Sequence, residues 1–445
     1  MTQGVIWRQL VSFALPMMVG LFFQQLYNTV DTWVVGQYVG KEAQAAVGSS
    51  ASIVNLTVGF CAGLSTGASV IISQRFGAHD KTGLEKAVHT SIVLTAILSV
   101  IVTFLGQLII SPMQGFMKTP ENVIPVQREY MSIYFWGACG IMFYNMGSGI
   151  LRAVGDSRRP LIFLIISACL NMGLDLLLVL VIPLGVAGVA YATILSQLIS
   201  ALLILNSLAR ERGPYGLRLK KLCFDMESFR KIIRLGLPSA IQTGVTGFSN
   251  AFVQSYTNAL GDAAMAGYAV YGKLDNFVLV PLQAIGMAST TFVGQNWGAR
   301  NPARAKRGVH MAMLMGNGST LVLGTLVWVL ARQLLGFFSP VEEVVSYGQR
   351  FIRFITPFYL FLGSNQIYSG ALRGVGDATG PTVMMLLSYV AFRQLYLYTS
   401  VTVLGLGFPA VALGYPMGWV MCALLLTIRY RRSVLFRAEK TDAKS

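Results

Sequence analysis

Apolar blocks of about twenty residues, separated by short polar gaps, recur along the whole chain. A helix of that length crosses the roughly 30 Å hydrocarbon core of a lipid bilayer. Charged residues make up only 12% of the sequence, whereas soluble globular proteins carry about 25%. The sequence therefore predicts an all-α polytopic membrane protein with twelve transmembrane helices, at 10–35, 46–73, 89–111, 128–151, 160–182, 186–208, 235–259, 264–293, 309–335, 350–372, 381–404 and 408–430.

The two halves of the chain share a repeated motif. The segment "GILRAVGDSRRP" at 149–160 recurs as "GALRGVGDATGP" at 370–381, an offset of 221 residues. Each half contains six predicted helices, and because six is an even number, both halves have the same orientation in the membrane. Such repeats are related by a pseudo-two-fold axis along the membrane normal. The sequence thus predicts two pseudo-symmetric six-helix lobes around a central cavity.

Lysine and arginine residues concentrate in alternate polar gaps, a pattern that marks the cytoplasmic side of a membrane protein. It predicts a multi-pass protein of the plasma membrane (the cell inner membrane) with both termini cytoplasmic. The net charge of +16 is explained by this orientation signal, so we expect no nucleic acid partner. We divide the chain into an N-terminal lobe at 1–208, a basic cytoplasmic linker at 209–234, a C-terminal lobe at 235–430 and a cytoplasmic tail at 431–445.

The first predicted span carries polar side chains on one helical face. Asp31 lies two turns after Gln24, and Tyr27 and Asn28 lie between them. Pro16 lies further towards the N-terminus and removes a backbone hydrogen bond, which predicts a kink or hinge in this helix.

The fifth and sixth predicted spans carry a second set of polar residues. Asn171 and Asp175 are four residues apart and share a face, as do Thr193 and Gln197. Counted from the cytoplasmic ends at 1.5 Å per residue, these side chains reach a depth similar to that of Asp31. Carboxylates within the membrane are costly and usually line ion or substrate routes, so the pattern predicts a site for a proton or a small cation. The alternative interpretation is that the acids are paired or lie at a wet helix end.

The acids of the first half are not repeated in the second half. At the repeat offset, Asp31 corresponds to Val253. Asp175 corresponds to Leu397. We therefore expect a single cation site, in the N-terminal lobe.

The eighth predicted span has a basic and an acidic residue of its own. Lys273 and Asp275 are two residues apart and do not face each other on a helix. We expect them to form structural ion pairs with other residues rather than to couple ions.

Several motifs together resemble those of the multidrug and toxic compound extrusion (MATE) transporters. They are "LP…YNTVDTWVVGQYVG" in the first span, "NMGLDLLLV" in the fifth, "GQNWGA" and "LRGVGD". The likeness covers nearly the whole chain and is similar to the bacterial and archaeal DinF-like branch. The resemblance implies a cation site formed by a helix 1 acid, a helix 5 Asn and Asp and a helix 6 Thr, with an associated tyrosine. The matching positions are Asp31, Asn171, Asp175, Thr193 and Tyr27. It also implies that Pro16 bends helix 1.

The resemblance implies a secondary active antiporter that exports amphipathic, often cationic, organic compounds in exchange for H⁺ or Na⁺. In a Na⁺-coupled protein the ligands would be Asp31, Asn171, Asp175 and Thr193, whose oxygen atoms suit a hard cation. Candidate residues of the substrate cavity are Gln24, Asn28, Gln197, Gln283 and Met287. We expect a monomer in the lipid bilayer, with small organic molecules as substrates and no cofactor beyond the coupling ion.

Two other functions remain open from the sequence. A lipid-linked oligosaccharide flippase of the same superfamily would carry more spans or a strongly cationic cavity. An integral membrane enzyme would need a His- or Asp-rich cluster, and the three histidines are scattered at helix ends. We therefore predict no catalytic residues.

Overall fold

The computed structural model describes residues 1–116 and 119–436, nearly all of them in helices. These helices fall into twelve successive segments within the described residues, and the predicted all-α fold is confirmed. Lys118 and the last nine residues of the predicted tail lie outside the described part of the chain.

The first half of the chain forms the helices before the basic linker. They are α1 (Ile6–Val34), α2 (Lys41–Gly77), α3 (Lys81–Phe116), α4 (Ile124–Trp136), α5 (Ala138–Ala153), α6 (Arg158–Leu176) and α7 (Gly185–Arg210). Short π-helical turns extend α1 and α6, at Val35–Val39 and Leu177–Val181.

The second half of the chain repeats this order. Its helices are α8 (Met226–Asn258), α9 (Asp262–Gly298), α10 (Pro302–Val329), α11 (Ala331–Phe338), α12 (Glu342–Ile355), α13 (Tyr359–Gly374), α14 (Thr379–Leu386), α15 (Arg393–Leu397), α16 (Gly407–Ala412) and α17 (Gly414–Arg432). The predicted span at 309–335 is in fact two helices, because the chain leaves the helix at Leu330.

Eight of the helical segments in the described part are long and apolar enough to cross a membrane. They include the segments that begin with α1, α2, α3, α6 and α7, so most of the first half consists of such helices. The predicted span at 128–151 is divided by Gly137 into α4 and α5, and each of these two helices is shorter than a full crossing.

The repeat is visible in the helix boundaries. Both α2 and α9 contain 37 residues, and α9 begins 221 residues after α2. The glycines that precede them, Gly40 and Gly261, have φ angles of 116° and 101°. Only glycine adopts this backbone region readily, so the same tight entry is built at both positions. The repeat found in the sequence is therefore a repeat of structure.

The chain divides into two compact units. The N-terminal unit comprises residues 19–240, and the C-terminal unit comprises residues 1–18 together with the described residues from 241 onward. Both α1 and α8 therefore pass from one unit into the other. Each crossing lies two residues after a proline inside the helix, Pro16 in α1 and Pro238 in α8.

Each unit has its own hydrophobic core. In the N-terminal unit, Val34, Tyr130, Met131 and Val189 belong to one buried cluster. This cluster surrounds the end of α1 and brings α4 and α7 against it. The core of the C-terminal unit is rich in aromatic side chains from α9, α12, α13 and α17.

Candidate cation-binding site

The acid of α1 lies close to the end of that helix. The Oδ1 atom of Asp31 is buried and receives no hydrogen bond from any described residue. Tyr27 lies one turn before Asp31, and its hydroxyl group is hydrogen-bonded to Gln24 and lies near the Asp31 carboxylate. The structure thus places Asp31, Tyr27 and Gln24 on one side of α1.

The acid of α6 is more deeply buried. Asp175 is 0% exposed, and Asn171, one turn earlier, is 2% exposed. Neither oxygen of Asp175 and neither amide atom of Asn171 has a hydrogen-bond partner among the described residues. A buried polar group without a partner costs about 1–3 kcal/mol, and a charged one costs more. Four unsatisfied polar atoms on one face of α6 therefore form a site that is incomplete without a ligand.

The carboxyl groups of Asp31 and Asp175 lie close enough to interact directly. Within the described part of the chain, neither acid has a basic partner. Ionised carboxylates only accept hydrogen bonds, so the two groups cannot satisfy each other. A shared proton would supply the missing donor, and a small cation between the acids would supply the missing charge. The site can therefore bind H⁺ or a monovalent cation, with Asn171 Oδ1 as a further oxygen ligand.

The position of Thr193 on α7 differs from that of a direct partner of the acids. Its hydroxyl group donates a hydrogen bond of 3.0 Å to the carbonyl oxygen of Val189 in the same helix. The structure therefore brings Asp31, Asn171 and Asp175 together, but it shows Thr193 bonded within α7. Its oxygen lone pairs still allow it to accept a hydrogen bond or to bind a cation.

The structure adds Tyr130 of α4, which sequence reasoning missed. Tyr130 is buried, and it lies within electrostatic reach of both Asp31 and Asp175. Its ring stacks on that of Tyr134 with 6.5 Å between centroids, and the buried Tyr134 hydroxyl has no hydrogen-bond partner among the described residues. The spacing of two tyrosines one turn apart in the apolar segment "EYMSIYFW" was the available signal, because buried phenols usually find a polar partner.

The predicted cavity residues are divided between the units. Gln24, Asn28 and Gln197 belong to the N-terminal unit. Gln283 and Met287 lie on α9 in the C-terminal unit, with exposed side chains. Contact of these residues with substrate stays a prediction.

The acid of the C-terminal unit has a different environment. Asp275 accepts hydrogen bonds from the hydroxyl groups of Tyr271, at 3.1 Å, and Tyr359. The Lys273 ammonium group instead lies 5.5 Å from the ring centre of Phe338. The expectation that both residues form structural ion pairs is corrected: phenol donors satisfy Asp275, and an aromatic face binds Lys273.

A buried arginine occupies the position that corresponds to Asn171. Arg393 is 1% exposed and donates a hydrogen bond of 2.8 Å to Asn250 Oδ1. Its guanidinium group also lies over the rings of Tyr389 and Tyr415. The C-terminal unit thus places a positive charge where the N-terminal unit places a neutral ligand, which is consistent with a single cation site.

Acids buried in membrane helices without basic partners are typical of ion-coupled membrane transporters. The MatE sequence model matches residues 16–177 and 238–416, well over half of the chain. The protein therefore belongs to the MATE family of membrane transporters, as its motifs predicted.

Individual relatives agree with this assignment. The chain is 31% identical to the probable multidrug resistance protein YpnP of Bacillus subtilis, over 97% of this chain and 96% of the relative. It is 26% identical to the probable multidrug resistance protein NorM of Thermotoga maritima, over 90% of this chain and 87% of that protein. A solved structure of a multidrug resistance MATE transporter in an outward-facing conformation matches with a TM-score of 0.91 and 25% identity, covering 97% of this chain and 96% of the other.

Proposed function

We propose that this protein is a secondary active efflux antiporter that exports amphipathic, often cationic, organic compounds in exchange for H⁺ or Na⁺. The names of its relatives YpnP and NorM support multidrug substrates. The proposed location is the plasma membrane, with both termini cytoplasmic and the protein acting as a monomer.

The observation that carries the proposal is the pair of interacting acids beside Asn171. Asp31 Oδ1, both oxygens of Asp175 and both amide atoms of Asn171 are buried without partners in the described part of the structure. Such a cluster is costly unless a cation occupies it during part of the transport cycle. Binding energy gained in only one conformation is what shifts a two-state protein towards that conformation.

In this proposal each residue has a separate role. Asp31 and Asp175 bind the coupling cation, and Asn171 supplies a neutral oxygen ligand. Tyr27 orients the Asp31 carboxylate, and Thr193 on α7 supplies a further oxygen once α7 lies against the occupied site. Because Asp31 is on α1 and Asp175 is on α6, cation binding joins these two helices and changes the conformation of α1.

The experiment is efflux of a fluorescent organic cation from proteoliposomes with imposed ion gradients. One arm imposes a pH gradient without Na⁺, and the other imposes a Na⁺ gradient at equal pH on both sides. The wild-type protein should move the dye against its concentration gradient in at least one arm. The variants Asp31→Asn and Asp175→Asn should each lose this ion-driven movement, because an amide cannot exchange a proton and binds cations weakly.

The matched control is Asp275→Asn, which removes a carboxylate that already has two phenol donors. It should retain ion-driven transport, and dye binding measured by fluorescence polarisation should persist in all three variants. Wild-type transport that ignores both gradients would refute antiport. Wild-type behaviour of both site variants would refute the coupling roles.

A further inference from the structure

The segment between α7 and α8 presents an unusual surface. Residues 218–224, "RLKKLCF", are all exposed, and we call them the basic strap. Leu219 is 77% exposed, Leu222 is 43% exposed and Phe224 is 42% exposed. Three large apolar side chains thus alternate with three cationic ones on one short segment.

The strap is fixed at both ends by buried polar side chains of α3. The backbone N–H of Arg218 donates to His89 Nε2 at 3.1 Å. The backbone N–H of Asp225 donates to Thr90 Oγ1 at 3.0 Å. His89 and Thr90 are both 0% exposed. The apolar side chains of the strap are therefore held at the surface by a defined backbone rather than exposed by a loose loop.

Ion pairs fasten the strap further. Lys221 Nζ lies 2.9 Å from Glu85 Oε1, and Lys86 Nζ lies 3.4 Å from Asp225 Oδ1. The hydroxyl group and backbone N–H of Ser228 hold the pKa of Asp225 below its usual range, so Asp225 stays ionised at neutral pH. These contacts occupy Lys221 and leave Arg218 and Lys220 as the outward cationic groups of the strap.

The attachment points set the depth of the strap in the membrane. His89 and Thr90 come directly before the apolar run of α3 that starts at Ser91 and Ile92, and α3 belongs to a segment able to cross a membrane. The strap therefore lies where the hydrocarbon core meets the lipid headgroups. Apolar side chains at this depth reach the acyl chains, while lysine and arginine reach the phosphates.

We propose that the basic strap is a lipid-docking surface that binds anionic phospholipid headgroups of the adjacent leaflet. In this arrangement Leu219, Leu222 and Phe224 enter the headgroup–acyl boundary, and Arg218 and Lys220 contact the phosphates. Charge complementarity favours an anionic membrane surface, because juxtamembrane cationic clusters are attracted to anionic lipids. The proposal does not depend on ion coupling, and it holds for whichever leaflet faces this end of α3.

The strap contains its own reporter site, the exposed free thiol of Cys223. A spin label is attached there in a variant whose other cysteines are replaced by alanine, and the protein is placed in lipid nanodiscs. One set contains only phosphatidylcholine, and the other contains equal parts of phosphatidylcholine and phosphatidylglycerol. Power saturation with O₂ and with a water-soluble nickel chelate then measures the depth of the label.

With phosphatidylglycerol present, collision with O₂ should exceed collision with nickel, and the label should lie deeper than in phosphatidylcholine alone. The double variant Arg218→Gln and Lys220→Gln should remove this difference. The single change Arg353→Gln, an exposed arginine on α12, should leave it intact.

Three results would overturn the proposal. The label could collide freely with nickel in both lipid mixtures, which would place the strap in water. It could be shielded from both reagents in both mixtures, which would place the strap against protein. Finally, inorganic phosphate added to phosphatidylcholine nanodiscs at constant ionic strength could reproduce the effect of phosphatidylglycerol, which would indicate a site for free phosphate instead of a lipid surface.

Discussion

The Ser167 hydroxyl group of α6 donates a hydrogen bond of 2.9 Å to the backbone carbonyl oxygen of Ser196 in α7. Both residues are buried. Ser167 lies one turn before Asn171, and Ser196 lies three residues after Thr193. The bond therefore fixes α7 against the helix that carries Asn171 and Asp175, directly beside the proposed cation site.

We predict that Ser167→Ala lowers the stability of the protein. Its loss leaves a buried carbonyl oxygen without this donor, which costs about 0.5–1.5 kcal/mol. The measurement is the midpoint of thermal unfolding in detergent. Ser196→Ala is the matched control, because the Ser196 side chain donates only within α7, to the Thr193 carbonyl oxygen, and its own carbonyl oxygen is retained. Equal midpoints for the two variants would show that the bond between α6 and α7 contributes nothing.

A second prediction concerns the packing of α2 against the first part of α8. A β-carbon added at Gly67 would lie 2.5 Å from the backbone nitrogen of Gly236. One added at Gly63 would lie 2.4 Å from the backbone nitrogen of Ala240. Small residues four positions apart on both helices thus let the two backbones touch, a common arrangement in membrane helices.

The variant Gly67→Ala should therefore force α2 and α8 apart, at a cost of about 1–3 kcal/mol or more. A lower thermal midpoint and a lower yield of monodisperse protein in size-exclusion chromatography would report this loss. The control Gly48→Ala lies on the same helix with open space around the added methyl group, and it should match or slightly exceed wild-type stability. A stable Gly67→Ala protein would contradict the close approach.

The sequence predicted the helices and the acids because both depend on local rules. Blocks of apolar residues require helices within a membrane, and Asp31, Asn171 and Asp175 stand out as polar groups in such blocks. The contribution of Tyr130 depends on how α4 packs against α1 and α6. Tyrosine is common in membrane proteins, so nothing local distinguished it from a packing residue.

Two other details also required tertiary information. The break at Leu330 divides an apolar run whose hydropathy changes little across it. The partners of Asp275 are tyrosines from α9 itself and from α13, and a sequence cannot show which residues of a distant helix face an acid. Pattern reasoning therefore found charged groups but not the partners that satisfy them.

A third prediction tests the role of Asp275. Tyr359→Phe removes one of its two phenol donors, and the under-satisfied buried acid should cost about 1–3 kcal/mol. The thermal midpoint should fall, while the ion that drives transport should stay the same. Tyr398→Phe is the control, since Tyr398 is 55% exposed and should change neither quantity. A switch in the driving ion would instead place Asp275 in the coupling machinery.

The last prediction concerns the proline in α1. Pro16 has no N–H, so the carbonyl oxygen four residues earlier, at Ser12, lacks its usual intrahelical bond. The helix passes from the C-terminal unit into the N-terminal unit two residues later, which puts its weakest point at the crossing. If cation binding at Asp31 changes the conformation of α1, the change should be concentrated there. We therefore expect Pro16→Ala to slow the maximal rate of ion-driven dye efflux while dye affinity stays near that of the wild type. Pro238→Ala in α8 provides the matched comparison, because its proline has the same distance from its own crossing and no acid follows at the position of Val253. Its efflux rate should fall less. A wild-type rate for Pro16→Ala would show that transport does not require a bend at this point of α1.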